Sequence, residues 1–328
     1  MSAAPRGDHY ALPDLRQRLQ ARAALLNTIR TFFRDRGVLE VETPLLYPAF
    51  STEPFLQPFS VEFSGAGGCR ARRLYLQSSP EYGMKRLVAE GSGSVFQICK
   101  AFRNGDLGHL HQPEFSLLEW YRVGFDYRQL AREVQSLIES VYPASRIHHL
   151  SCQTLLAEYA GVDMHESDDS KLRETLLQCG FSEGLDDVDR ATLIDWLLDE
   201  IIRKNFSETG MLLIVYDYPA IHPQMAAFHA EDERLVQRFE AYLNGIELAN
   251  GYTELRDADE QLRRFQLDHE RRRSLGFEDV VWDEALLEAL RTGLPECAGV
   301  ALGLDRLLML TSGATDIHQV SNFALLPE

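Results

Sequence analysis

The sequence predicts an α+β protein, strand-rich toward both ends of the chain and carrying a helical insertion at about 151–210. Three observations lead there. Two strand-like runs, Val95 to Arg103 and Phe115 to Val123, are joined by eleven residues, which suggests an antiparallel pair with a long loop. Asn244-Gly245 stands between apolar runs, the strongest short hairpin signal. Between these, DDSKLRETLLQCG and DVDRATLIDWLLDEIIRKNF have helical spacing, acidic starts, and a glycine or basic residues at the end.

In chain order, Leu15 to Arg36 places Leu19, Ala23, Leu26, Ile29, Phe32 and Phe33 three and four apart, and Gly37 is positioned to end that helix. VLEVETPLL contains a proline that would demote an interior strand, so it reads as an edge or interface segment. Leu74 to Leu76 reads as a strand, and SSPEYGMKRLVAEG as a loop entering a short helix. After the insertion come MLLIVYDYP, a buried-strand pattern, then FEAYLNGIELANGYTEL, a helix from about Asp257 to Arg273, and GVALGLDRLLML. No repeat, low-complexity tract or flexible linker interrupts the chain, so residues 1–328 are read as a single domain with an insert.

Composition sets bounds on function. The chain has 328 residues, 45% hydrophobic and 25% charged, and a formal charge of −17. That charge argues against non-specific nucleic-acid binding, which rests on lysine and arginine neutralising phosphates. Five cysteines (69, 99, 152, 179, 297) form no CxxC pair, and their odd number fits reduced thiols. The amino-terminal run has no apolar core of signal-peptide length, and no run reaches about 18 uninterrupted apolar residues, so a cytoplasmic protein without a membrane segment is expected.

Alternation along a strand puts Phe115, Leu117, Glu119 and Tyr121 on one face, with Arg103 ending the partner strand. An arginine beside a histidine-bearing loop and an aromatic suits a phosphate under a stacked base, although a solvated loop has the same composition. The Asn244-Gly245 turn brings Leu243 opposite Ile246 and Tyr242 opposite Glu247, so Glu240 lies on the same side as Glu247. Two such carboxylates facing a pocket would repel unless a cation lay between them, and hard oxygen ligands suit Mg²⁺ shared with phosphates. Asn250-Gly251 invites a bulge that would turn Glu254 toward the same pocket. In GVALGLDRLLML, glycines 299 and 303 allow close backbone approach and Arg306 opens an apolar helix, where it could reach a phosphate or pair with Asp305.

Together these segments resemble the class II aminoacyl-tRNA synthetase catalytic core, specifically the lysyl branch: VLEVETPLL resembles motif 1, FRNGDLGHLHQPEFSLLEWY motif 2 and GVALGLDRLLML motif 3. SPEYGMKRL, YDYP and GIELANGYTEL extend the match. The resemblance implies an antiparallel sheet flanked by helices. Only some fifteen residues precede the first helix, too few for an anticodon-binding barrel, and in that the chain is similar to the elongation factor P lysyltransferase family. SPEY stands where the tRNA enzymes more often have APEL, with Met84 following it, and Ala301 where they usually carry glycine.

That resemblance implies ATP-dependent activation of (R)-β-lysine or lysine, with elongation factor P as acceptor and tRNA not expected. Arg103 and Arg306 would be the catalytic pair. Arg103, Asn104, Gly105, His111, Gln112, Phe115, Glu247, Leu248, Gly303 and Arg306 would bind ATP, and Glu240 and Glu247 would bind Mg²⁺. Ser79, Pro80, Glu81, Tyr121, Asn250, Glu254 and Ala301 would line the amino-acid pocket, with Glu81 on the amine near the carboxylate and Glu254 with Tyr121 on the distal ammonium. Two positions depart from the family pattern: Gly105-Asp106 stands where a glutamate is usual, and Gln112 where an asparagine is. The first helix and motif 1 resemble the class II dimer interface, so a homodimer is expected. His109 and His111 lack a third ligand nearby and do not read as zinc ligands, and Arg271 to Arg273 read as arginines closing an acidic helix. A minimal lysyl-tRNA synthetase and an inactive regulatory paralogue are the alternatives.

Overall fold

The computed structural model describes residues 14–64, 73–181, 184–186, 188–221 and 223–325; Cys69 and most of the amino-terminal run lie outside them. Helix α1 (Leu15–Arg34) starts where the Asp14 side chain accepts the Gln17 amide, and it buries Leu25, Ile29, Phe32 and Phe33 along one stripe. Phe33 stacks on Phe96 at 4.5 Å and meets Trp120 edge-on, pinning α1 to the sheet. Strand β1 (Leu39–Glu40) pairs parallel with Val95 and Phe96 and is an edge of the main sheet, in keeping with the edge reading of VLEVETPLL. Strands β2 (Leu46–Tyr47), β3 (Phe59–Glu62) and β4 (Arg73–Leu76) make a separate small sheet, and α2 (Glu81–Ala89) follows Pro80.

Strands β5 (Val95–Phe102) and β6 (Glu114–Val123) form the expected antiparallel pair. Helix α3 (Tyr127–Val141) opens with a capping box of Asp126 and Gln129, then β7 (Arg146–Ser151) follows. The insertion is helical as expected: α4 (Cys152–Ala160), α5 (Asp169–Gln178) and α6 (Arg190–Asn205). It joins β7 to β8 (Met211–Pro219), and those two strands are parallel, so the helices serve as the crossover that parallel pairing needs. Strands β9 (Leu235–Leu243) and β10 (Ile246–Thr253) form the hairpin, followed by α7 (Ala258–Ser274), α8 (Glu284–Gly293), β11 (Cys297–Gly303) and α9 (Leu304–Thr311).

The main sheet runs β1-β5-β6-β11-β10-β9-β8-β7, mixed only at its ends. One face is apolar: Leu118, Trp120, Phe239, Ala241 and Leu302 pack under α1, α3 and α9. The opposite face carries Phe115, Leu117, Glu119 and Tyr121 beside Gly299, Ala301 and Gly303, and all seven line one cavity. The insertion has its own apolar core, in which Leu193, Ile194 and Leu197 meet Leu213 and Val215.

Two expectations need correction. The bulge lies between Glu247 and Ala249, not at Asn250-Gly251. Gly251 serves close packing instead: a Cβ there would stand 2.6 Å from Val300 Cβ and 2.8 Å from the Phe239 ring. Arg272 does more than close a helix. It is buried, and its guanidinium donates to the carbonyls of Glu53, Leu56 and Glu278, tying the loop before β3 to α7.

Candidate active site

The Asn244-Gly245 turn has positive φ at both residues, 54° and 76°, and gives the anticipated pairs Leu243 with Ile246 and Tyr242 with Glu247. With the bulge, Glu240 pairs with Asn250, Asn250 with Ala301, Ala301 with Glu119 and Glu119 with Gln97. Five strands thus contribute one row across the cavity face.

The cavity has a volume of about 410 Å³, and its chemistry is divided. At one end stand Arg103, His111, Arg306 and Phe115. The Arg103 guanidinium carbon lies 5.1 Å from the Phe115 ring centroid, and its buried Nε has no hydrogen-bond partner. Burial lowers its pKa, yet a guanidinium stays charged, so a buried donor faces the cavity ready for an anion. Arg306 donates to the Glu247 backbone carbonyl at 2.9 Å, to Glu247 Oε2 at 3.3 Å and to His111 Nε2 at 2.6 Å. Burial and the neighbouring Arg306 hold His111 below the ordinary histidine range, so its Nε2 is the acceptor of a neutral ring.

The other end is acidic. Glu81, Glu119 and Glu254 line it with Tyr121, Tyr252 and Asn250. Tyr121 donates to Glu119 Oε1 at 2.8 Å, while Glu119 Oε2 is buried without a partner. Burial, reinforced by Glu81, pushes Glu119 well above the usual carboxylate range. Burial likewise lifts Glu254 to about 8, although Lys85 Nζ lies 2.6 Å from its Oε2. Gly299 makes room for this cluster: a Cβ there would stand 2.7 Å from Tyr121 Cδ1, and closer still to Tyr121 Cε1 and Glu254 Oε1.

The sequence matches the family described as tRNA synthetases class II (D, K and N) over residues 8–326. The chain belongs to that class II synthetase family. It is also 42% identical over 308 residues, 94% of each chain, to the elongation factor P–(R)-β-lysine ligase of Pectobacterium atrosepticum.

In this class II chain most of the residues singled out from the sequence meet on the cavity wall: Ser79, Glu81, Arg103, His111, Gln112, Phe115, Tyr121, Glu247, Leu248, Asn250, Glu254, Ala301, Gly303 and Arg306. Four stand elsewhere. Pro80 caps α2. Asn104 is held outward, its amide nitrogen on the Gln57 carbonyl and its side chain on Pro58. Gly105 has φ of 94° and leaves the wall to Asp106. Glu240 lies beside the wall, its carboxylate accepting from Arg238, Tyr218 and Tyr242. Gln112 reaches the cavity, but its amide is exchanged with the Leu325 backbone, two bonds of 3.0 Å.

Sequence reasoning assigned no role to Glu119, Lys85 or Tyr252. Alternation alone could have found Glu119, which shares its face with Phe115 and Tyr121. From α1, Arg22 donates to Asp305 and to Ser116 Oγ, joining that helix to the neighbours of Phe115 and Arg306.

Proposed function

We propose that this protein activates lysine or (R)-β-lysine with ATP, forming an aminoacyl-adenylate, and transfers the acyl group to a lysine side chain of elongation factor P. The observation that carries this reading is the division of charge in one cavity. Three carboxyl groups share one end with a single buried lysine, and the two ammonium groups of a diamino acid would supply the countercharge that keeps all three ionised. Arginines and a histidine at the other end suit a carboxylate and a triphosphate. The 42% identity to an elongation factor P–(R)-β-lysine ligase supports the acceptor, and the charge of −17 disfavours tRNA.

The chemistry follows from positions. Arg103 holds the substrate carboxylate against the α-phosphate, where negative charge grows as a carboxylate oxygen attacks phosphorus and pyrophosphate departs. Phe115 and Arg306 cover the two faces of adenine, His111 and Arg306 bind the outer phosphates, and Leu248 and Gly303 shape the nucleotide wall. Asn250 orients the carboxylate; Glu81 takes the nearer amine, and Glu254, Glu119 and Tyr121 the distal one. The Ala301 methyl, between Asn250 and Glu119 in the cross-strand row, narrows the pocket at the carbon that bears the nearer amine. The acceptor amine then attacks the acyl carbon and AMP leaves, with no protein nucleophile involved.

The donor set fits Mg²⁺. Glu247 is half-buried on the wall, and Asp199 of α6 is raised to about 7 by burial and then by Glu240 and Glu247. Among the described residues no group of three or more such side chains is arranged to hold a metal, so the ion would take its other ligands from phosphate and water. Glu247 would be its anchor, and Glu240, whose carboxylate accepts from Arg238, Tyr218 and Tyr242, would be the second carboxylate to hold it. When bound, the ion neutralises triphosphate charge.

A homodimer fits the outer side of α1 and β1, where Leu15, Leu19 and Leu39 are exposed and Arg30 ties the two elements through Glu40 at 3.0 Å. No helix among the described residues is long and apolar enough to cross a membrane. With Cys99, Cys152, Cys179 and Cys297 free, this fits a cytoplasmic enzyme.

The test is incubation with ATP, Mg²⁺, either lysine isomer, and elongation factor P or tRNA, read by mass. Acylated elongation factor P supports the reading. Acylated tRNA alone makes the protein a minimal lysyl-tRNA synthetase, and no adenylate with either isomer makes it a regulatory paralogue.

A further inference from the structure

We propose that Lys85 is a positioning residue for the amino-acid substrate: its buried ammonium holds Glu81 and Glu254 in place as two jaws of a clamp for a diamino acid. This rests on the activation reading above and adds to it a residue that does not line the cavity. Lys85 leaves α2 one turn after Glu81 and is 1% exposed. Its Nζ is 2.7 Å from Glu81 Oε1, 2.6 Å from Glu254 Oε2 and 3.6 Å from Met225 Sδ. Two of its three donors therefore serve carboxylates, and the third meets only a weak sulfur acceptor.

The two carboxylates come from elements far apart in sequence, Glu81 from the first turn of α2 and Glu254 from just beyond β10. One cation bridges them from behind, and the Tyr252 hydroxyl fixes Glu81 from the side. Burial works to lower the lysine's pKa, and Glu254 and Glu81 more than reverse this, so the ammonium persists. Without it, Glu81, Glu119 and Glu254 would face one another in a buried space with no countercharge, and protonation would be their cheapest relief. A protonated Glu254 keeps its shape but loses its attraction for an ammonium ligand. Lys85 thus sets how many positive charges the pocket accepts: with it, two.

The experiment is calorimetric binding of L-lysine to the whole protein, with Lys85→Met as a neutral side chain of similar length. The dissociation constant at pH 7 should rise about tenfold or more, the effect of a shift of one pKa unit in Glu254. Runs at about pH 8.5 in buffers of different ionisation enthalpy should show about half a proton more released on binding than by the wild type, because a carboxyl raised by one unit above about 8 is still largely protonated there. A role confined to packing would not alter proton release. In a Glu254→Gln background, Lys85→Met should cost less than about threefold, since the charge it preserves is already gone.

A folded Lys85→Met protein with wild-type affinity and proton release overturns the proposal, as does an equal loss in both backgrounds. If Lys85→Met alone does not fold, the neutral double variant is compared with Glu254→Gln, and a further tenfold loss there overturns it. Binding is measured without ATP, so the outcomes separate: adenylate formation with unaltered binding in Lys85→Met sinks this inference only, whereas weakened binding in a protein that forms no adenylate sinks only the activation reading.

Discussion

Substituting alanine for Gly299 tests the amino-acid pocket most directly. A Cβ at that position would stand 2.7 Å from Tyr121 Cδ1, with Tyr121 Cε1 and Glu254 Oε1 closer still. An ordinary contact needs more than 3.4 Å, so the ring and the carboxylate must each retreat by about 1 Å. Neither has slack: both are 2% exposed, and Glu254 is held by Lys85. Overpacking of this kind costs about 1–3 kcal/mol of stability, and a displacement of about 1 Å in a substrate-positioning group costs on the order of a hundredfold. In lysine-dependent ATP–pyrophosphate exchange, the variant should fold with a lowered Tm, show a KM for lysine raised by that order, and bind ATP nearly as before. A folded Gly299→Ala enzyme with a lysine KM within about twofold of wild type would refute the placement of Tyr121 and Glu254 on the substrate.

Glu247→Ala should abolish pyrophosphate exchange and shift stability by no more than about 0.5 kcal/mol, because the side chain is half-exposed; retained exchange in excess Mg²⁺ would show the metal assignment to be wrong. Chelating Mg²⁺ should stop exchange by the wild type. Burial lifts Glu254 to about 8, so the dissociation constant for lysine should fall as pH rises from about 6.5 to about 8.5. The stability of the ligand-free protein runs the other way: a carboxyl raised on folding contributes fully below its unfolded value near 4.5 and loses that contribution as pH rises through about 8, readable as a falling Tm. Light scattering should return a dimer, and Leu19→Arg, on the exposed side of α1, should yield monomers; a wild-type monomer at working concentration would remove the interface assignment.

What could be read from the sequence depended on how local its cause was. The hairpin at Asn244-Gly245 was legible to the residue pair, because positive φ at two adjacent positions leaves few candidate side chains and the turn then fixes the register. The alternation that aligned Phe115 with Tyr121 was legible for the same reason. The second Asn-Gly pair misled: Gly251 is required by Val300 and Phe239, which lie on other strands, and the bulge formed three residues earlier. Arg272 read as a helix-closing charge because the carbonyls it holds, at Glu53 and Leu56, are more than two hundred residues away. Lys85 was equally opaque: half of its meaning is Glu254, brought to it only by the fold.

The bond from Arg22 to Asp305 and Ser116 gives α1 two duties at neighbouring positions, since Leu15 and Leu19 stand seven and three residues before Arg22. In the proposed dimer its exposed leucines would meet a second copy, while Arg22 steadies the strand that carries Phe115 and the turn that carries Arg306. Separating the protomers of such a dimer would therefore be felt first as poorer grip on the nucleotide, in a chain still folded.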